Sequence, residues 1–356
     1  MICFLSMEVC GFTFEELGDW LEQAGEKRFR AAQIFDWIYR KGVLSFEGME
    51  NLSKELRKRL AESLRFPLLK LAAVQESDET SKFLWELSDG KRVESVLIRS
   101  FDRRTVCLSS QVGCPARCAF CASGREGLIR SLTAGEIVEQ ALHIDRFLKE
   151  KGERVCHLVY MGMGEPLENY DAVLKSIRIL NDERTLHISQ RRMTVSTVGI
   201  APEIRRLAEE RLFVNLVLSL HAPNQHLRKK IIPFARKYPL EEILSAMDFY
   251  AEKTRRDITY EYTLLSKIND QEEHAIELAS LLRGKQCTVN LIPYNPVQGL
   301  RLERPDRANV CAFQKILESR GIRTTWRYTK GDDIAAACGQ LALQKPSGLT
   351  NFGATS

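Results

Sequence analysis

No stretch of this 356-residue chain is apolar over the roughly 18 residues that a membrane-spanning helix needs. The opening residues, Met1 to Glu8, are apolar but carry no basic segment and no long hydrophobic run, so no export signal is expected. Met7 is a second candidate start. No internal repeat and no low-complexity segment occurs. Neither sign of charge dominates: 52 basic against 47 acidic side chains leave +5. That small excess points only weakly to a polyanionic partner. The ten cysteines are scattered rather than spaced as a disulfide framework, and the chain is too long to need covalent staples. They are expected to be thiols, ligands or redox groups of a cytoplasmic, monomeric protein with no membrane partner.

What the chain does have is one dense cluster of thiols. Cys114, Cys118 and Cys121 form a C-x3-C-x2-C loop between Gly113 and the pair Gly124 and Gly127. An iron–sulfur cluster of four irons usually takes four cysteines. Three leave one iron open, which suits chemistry on a bound substrate better than electron storage. The other reading is structural zinc, but zinc loops add a second Cys/His pair at fixed distance, and none follows.

The rest of the chain organises around that loop. Thr13-x-x-Glu16 is a capping box, and three helices follow, carrying Leu17, Trp20 and Leu21, then Phe29 to Tyr39, then Leu56, Leu60 and Leu64. They make a compact helical domain over 8–66, its aromatics read as core. A β extension over 67–103 follows, with strands at 68–75, 82–87 and 92–98 and a turn at Asp89-Gly90. Strands and helices then alternate, with strands near 105–109, 155–161, 193–198, 213–220, 258–265, 287–292 and 323–328. Six βα units over 104–341 predict an α/β fold, a partial TIM-like (βα)6 barrel preceded by the helical domain and a β-hairpin linker. In such barrels chemistry sits at the C-terminal ends of strands. Residues 342–356 are expected to be a frayed tail. Basic pairs and runs, among them 54–59, 228–230, 236–237 and 255–256, fit an RNA partner.

A three-cysteine loop after the first strand of such a barrel resembles the radical S-adenosylmethionine (SAM) superfamily. That resemblance implies a [4Fe–4S] cluster on Cys114, Cys118 and Cys121, with SAM on the open iron. Met161-Gly162-Met163-Gly164-Glu165-Pro166 is similar to the segment that holds the SAM amino group, which places Gly164 and Glu165 at the cofactor. Ser196, Ser219, Leu220, His221 and Asn295 are carried over as further SAM contacts. The segments around Cys107, Ser219-Leu220-His221, Asn290 to Asn295 and Gly331 to Leu341 together resemble the RlmN/Cfr family, whose members methylate an adenine of 23S rRNA and, in some cases, the adenine beside the anticodon of tRNA.

The family resemblance implies roles for the remaining groups. Cys338 is first methylated by SAM, then bonded through that carbon to the adenine ring. Glu94 removes the ring proton. Cys107 releases the product by forming a disulfide with Cys338. One departure is Ala335, where the family often has Asp. An electron donor such as flavodoxin or ferredoxin is implied. The carbon-2 product of the RlmN branch is favoured over the carbon-8 product of the Cfr branch. A non-catalytic, metal-stabilised RNA-binding protein is the alternative of another class.

Overall fold

A computed structural model describes residues 7–66, 68–326, 331 and 334–341. Cys3, the end of the strand expected to reach residue 328, Asp332 and Asp333, and the expected tail over 342–356 lie outside the described residues.

The N-terminal unit begins with β1 (Met7–Glu8) and continues through α1 (Phe14–Gln23), α2 (Arg30–Phe35) and α3 (Lys54–Ser63) to β2 (Leu64–Arg65), which pairs in parallel with β1. The capping box that opens α1 is formed: Thr13 Oγ1 accepts from Glu16 N–H, and the Glu16 carboxylate accepts from Thr13 N–H. Leu17, Leu21, Ile34, Phe35, Leu56 and Leu60 fill the core. Two expectations need correction. The second helix is not continuous, because it passes into a π-turn over Asp36–Arg40. Phe29 is not core: it precedes that helix, is 54% exposed and lies under the Arg30 guanidinium.

Next come β3 (Leu69–Glu76), β4 (Thr80–Leu87), β5 (Arg92–Ser100) and β6 (Arg103–Cys107). The four are joined antiparallel, and Gly90 turns the β4–β5 hairpin at φ +76°. They are more than a hairpin linker. β6 also pairs in parallel with the barrel, so the extension and the barrel share one ten-stranded sheet.

The chain then runs through β7 (Gln111–Gly113), β8 (Leu128–Ser131), α4 (Ala134–Lys149), β9 (His157–Tyr160), α5 (Tyr170–Asn181), β10 (Met193–Thr197) and α6 (Ala201–Glu209). It continues through β11 (Asn215–Ser219), α7 (Gln225–Ile231), α8 (Leu240–Thr254), β12 (Ile258–Leu264), α9 (Glu272–Leu281), β13 (Cys287–Pro293), α10 (Arg307–Ser319) and β14 (Arg323–Trp326). β6, β9, β10, β11, β12, β13 and β14 are neighbours in that order and all parallel. This is the expected open (βα)6 barrel with a closing strand. Among the described residues no helix is long and apolar enough to cross a membrane.

Helix α4 joins the parts. It is buried on nearly every side, polar residues included, because the helical unit covers its outer face and the sheet its inner face. Its carboxylate and amide groups are therefore used as hydrogen-bond partners rather than solvated. Glu139 accepts from Leu68 N–H and Leu69 N–H, where the chain crosses between domains. Gln140 bonds Ser95 and both backbone groups of Ser109, fixing the start of the cysteine loop.

Candidate active site

The cysteine loop does not leave the barrel strand directly. β6 ends at Cys107, and a small ribbon of β7 and β8 frames the loop between them. Gly113 closes that frame at φ +76°, and a Cβ there would lie 2.0 Å from Gly127 O. Only glycine allows the approach. Cys114 N–H donates to the same Gly127 carbonyl at 3.0 Å, and Ala119 N–H donates to Ile231 O at the end of α7 at 2.8 Å.

Cys114, Cys118 and Cys121 line one cavity at the C-terminal ends of the parallel strands, together with Glu165, Ser196, Ser219, His221, Asn295 and Cys338. Burial pushes the Cys114 thiol up to about 12 and raises Cys118 and Cys121 as well, with repulsion from the neighbouring loop cysteines adding to it at Cys114 and Cys118. Three thiols that resist ionisation unaided are what a multi-iron cluster, bringing positive charge, would convert to ligands. Among the described residues no three Cys, His, Asp or Glu side chains converge on a single ion. Three loop thiols with no second Cys/His pair form a donor set that fits a [4Fe–4S] cluster with one open iron.

The Gly162–Glu165 turn packs against the residues just before the loop. Ser110 and Gln111 N–H both donate to Met163 O, and Gln111 Oε1 accepts from Glu165 N–H at 2.8 Å. At Gly164, φ +112°, a Cβ would meet Ser110 Oγ at 2.6 Å. The Glu165 carboxylate accepts from Val198 N–H at 2.8 Å and Leu167 N–H at 3.0 Å. Burial nevertheless raises it to about 7, those hydrogen bonds opposing. It is poised to gain a cationic partner.

Ser196 and Ser219 Oγ stand 3.2 Å apart at the ends of β10 and β11. His221 takes φ +55°, accepts from Thr263 N–H at Nδ1 and meets the Phe120 ring edge-on at 4.9 Å. Accepting at Nδ1 assigns the proton of the neutral ring to Nε2. Burial and the Arg228 charge lower its pKa to about 3. Leu220 is not brought to the cavity. Its side chain is fully buried, its N–H donates to Glu261 O and its carbonyl accepts from Arg228. Asn295 Nδ2 donates to Cys338 O at 3.1 Å, and Arg304 holds its Oδ1 at 2.8 Å.

The segment around Cys338 is tied to the cysteine loop. Ala122 N–H donates to Gly339 O at 2.8 Å, and Ser123 Oγ donates to Leu341 O at 2.8 Å. Exposed Cys338 and buried Cys107 line a second, adjoining cavity that also includes Cys121. Both are free thiols here. Glu94 lies on β5 two residues from Val96, which pairs with Cys107, so the two project from one face. Its carboxylate is 3.5 Å from Lys82 Nζ, and Lys82 also donates to Ala335 O at 3.3 Å. Ala335 itself takes φ +50°, a conformation in which Asp and Asn are enriched, which gives the departure at this position a backbone cost.

Sequence reasoning missed Lys82, Gln111 and Arg228. Arg228 was grouped with Lys229 and Lys230 as a basic run, but α7, unforeseen, turns it fully inward. Arg59, in the 54–59 run expected to face RNA, is paired with Glu26.

Comparison with known proteins places this geometry. Residues 7–65 match the ribosomal RNA large subunit methyltransferase N-terminal domain, and residues 108–279 match the radical SAM superfamily. The chain is 62% identical over 348 residues to the "Probable dual-specificity RNA methyltransferase RlmN 2" of Protochlamydia amoebophila, covering 97% of each. It is 49% identical over 333 residues to a protein named "Probable dual-specificity RNA methyltransferase RlmN" of Dictyoglomus thermophilum, covering 94% of this chain and 96% of that one. The crystal structure of a radical SAM methyltransferase from Sphaerobacter thermophilus superposes with a TM-score of 0.92 at 44% identity, covering 94% of this chain and 99% of that one. The chain therefore belongs to the RlmN family of radical SAM RNA methyltransferases, enzymes that use a [4Fe–4S] cluster and SAM.

Proposed function

We propose that this enzyme methylates carbon 2 of an adenine in 23S rRNA and the adenine beside the anticodon in tRNAs, with Cys338 as the carrier of the new carbon. The observation that carries this reading is the position of Cys338, which lines both the cavity of the three loop cysteines and the adjoining cavity of Cys107. A carrier thiol must be methylated beside one site and meet its resolving thiol at another.

In this reading Cys114, Cys118 and Cys121 hold the cluster. Gly164, Glu165, Ser196, Ser219, His221 and Asn295 surround SAM, with Glu165 accepting from its ammonium. Leu220 acts only through the backbone that flanks it. Bound together here, SAM and the cluster supply a methyl donor and a hydrogen-abstracting radical. The Cys338 sulfur takes the methyl group by displacement, then presents that carbon to the ring. Glu94 accepts the ring proton, a task for a carboxylate within hydrogen-bond reach. The Cys107 thiolate attacks the Cys338 sulfur, forming a disulfide as the sulfur–carbon bond breaks toward carbon, and that carbon takes up a proton as the methylated base leaves.

The adenine must be unstacked to reach so enclosed a site. The 8–66 domain contributes RNA contact, the 67–103 extension carries Glu94, and the 104–341 barrel carries the rest. The enzyme works as a cytoplasmic monomer reduced by a flavodoxin or ferredoxin. Mass spectrometry of nucleosides from RNA of cells with and without the gene tests the reading. Loss of 2-methyladenosine on deletion is expected; an 8-methyl product overturns it.

A further inference from the structure

Arg228 is the one large cation sealed completely inside the described core, at 0% exposure. Every hydrogen bond it makes goes to a carbonyl: Nε donates to Leu220 O at 3.1 Å, and Nη2 donates to Ser219 O at 3.1 Å and to Val198 O. Its Nη1 is buried with no partner. Carbonyl dipoles orient a guanidinium but do not neutralise it. A buried charge without a counter-charge is costly, and proteins keep one where something else supplies the opposite sign.

Geometry indicates what that is. The carbonyls Arg228 grips are at the ends of β10 and β11, beside Ser196, Ser219 and His221. The same short helix accepts Ala119 N–H through Ile231 O, inside the cysteine loop. Arg228 therefore lies between the strand ends and the loop. A cluster of four irons and four sulfides held by three thiolates is anionic, and becomes more so when reduced.

We propose that Arg228 is the buried counter-cation of the iron–sulfur cluster, a positioning residue that favours the reduced cluster and so raises its reduction potential, an inference resting on the ligand set proposed above. A cation near the cluster stabilises the state of greater negative charge. Removing it must make the cluster harder to reduce. Retaining charge while losing the fork geometry must leave the potential largely in place but loosen the strand ends that surround SAM.

The test uses the anaerobically reconstituted full-length holoenzyme. Iron and sulfide per chain, EPR-monitored redox titration and SAM affinity are measured for the wild type, Arg228→Gln and Arg228→Lys. The Gln variant is expected to show a clearly more negative midpoint at unchanged iron content. The Lys variant is expected to keep a midpoint near that of the wild type while its SAM affinity falls. An unchanged midpoint in the Gln variant overturns the proposal. So does a Lys variant as far shifted as the Gln variant, or failure of both variants to fold or load, which would assign Arg228 to the scaffold alone. A wild-type protein that takes up no iron would instead overturn the ligand set.

Discussion

The Lys82 ammonium lies 3.5 Å from the Glu94 carboxylate with both side chains sealed from solvent, and it reaches at the same time to Ala335 O, three residues from Cys338. A buried carboxylate stripped of its cation is left uncompensated and loses the contact that orients it. Lys82→Met is therefore expected to lower the rate of methyl transfer by about 10²-fold or more, the usual scale for losing a general base. It is also expected to cost about 3–5 kcal/mol of stability, the scale for breaking a buried pair. Single-turnover methylation of an rRNA fragment and denaturant unfolding check the two effects. Full activity in the Met variant would remove Lys82 from the mechanism.

Cys338→Ala is expected to abolish methyl transfer while leaving iron content unchanged, because Cys338 lines the cavity of the three loop cysteines without belonging to the loop. Cys107→Ala is expected to stop later, with protein covalently bound to RNA. Gel electrophoresis of turnover mixtures under denaturing conditions reads the adduct. Its absence from the Cys107 variant would count against the resolving role.

On the proposed ligand set, Glu165 makes SAM binding depend on pH. Burial holds its carboxylate up near 7, above the ordinary value of 4.5, so without a ligand the folded protein favours its protonated form. The associated stability is present at low pH and is lost as pH rises through about 7. SAM requires the ionised form. Its affinity is thus expected to rise with pH and level off above about 7, with close to one proton released per SAM bound below that point. Calorimetry in buffers of different ionisation enthalpy counts the proton. Glu165→Gln is expected to bind weakly with no such pH dependence.

Gly113→Ala places a Cβ 2.0 Å from Gly127 O in a backbone conformation that disfavours alanine. The frame of the cysteine loop must open, while the barrel behind it has no reason to change. Iron and sulfide per chain are expected to fall sharply, with far-UV circular dichroism preserved. Full cluster loading in this variant would show that the loop tolerates the rearrangement.

Much of this was open to reading in the chain itself. Strand and helix periodicity gave the (βα)6 barrel, since parallel strands are buried on both faces and helices on one. Thr13 marked a helix start through a capping box that forms as read. The spacing of Cys114, Cys118 and Cys121 read as a cluster site because thiols so close in sequence come close in space, and the three do line one cavity.

Only the tertiary structure decided what depends on distant segments meeting. Cys107 and Cys338 are far apart in the chain, yet they share a cavity because Gly339 and Leu341 are hydrogen-bonded onto the cysteine loop. Lys82 is an ordinary strand lysine until the β4–β5 pairing and the returning Ala335 carbonyl enclose it. Arg228 sits between Leu227 and Lys229 in a run that reads as solvated, and α7 alone turns it inward beneath the strand ends. Local composition determines elements, because propensity and patterning act over a few residues. Burial, charge balance and the meeting of thiols are set by long-range packing, which no short stretch contains.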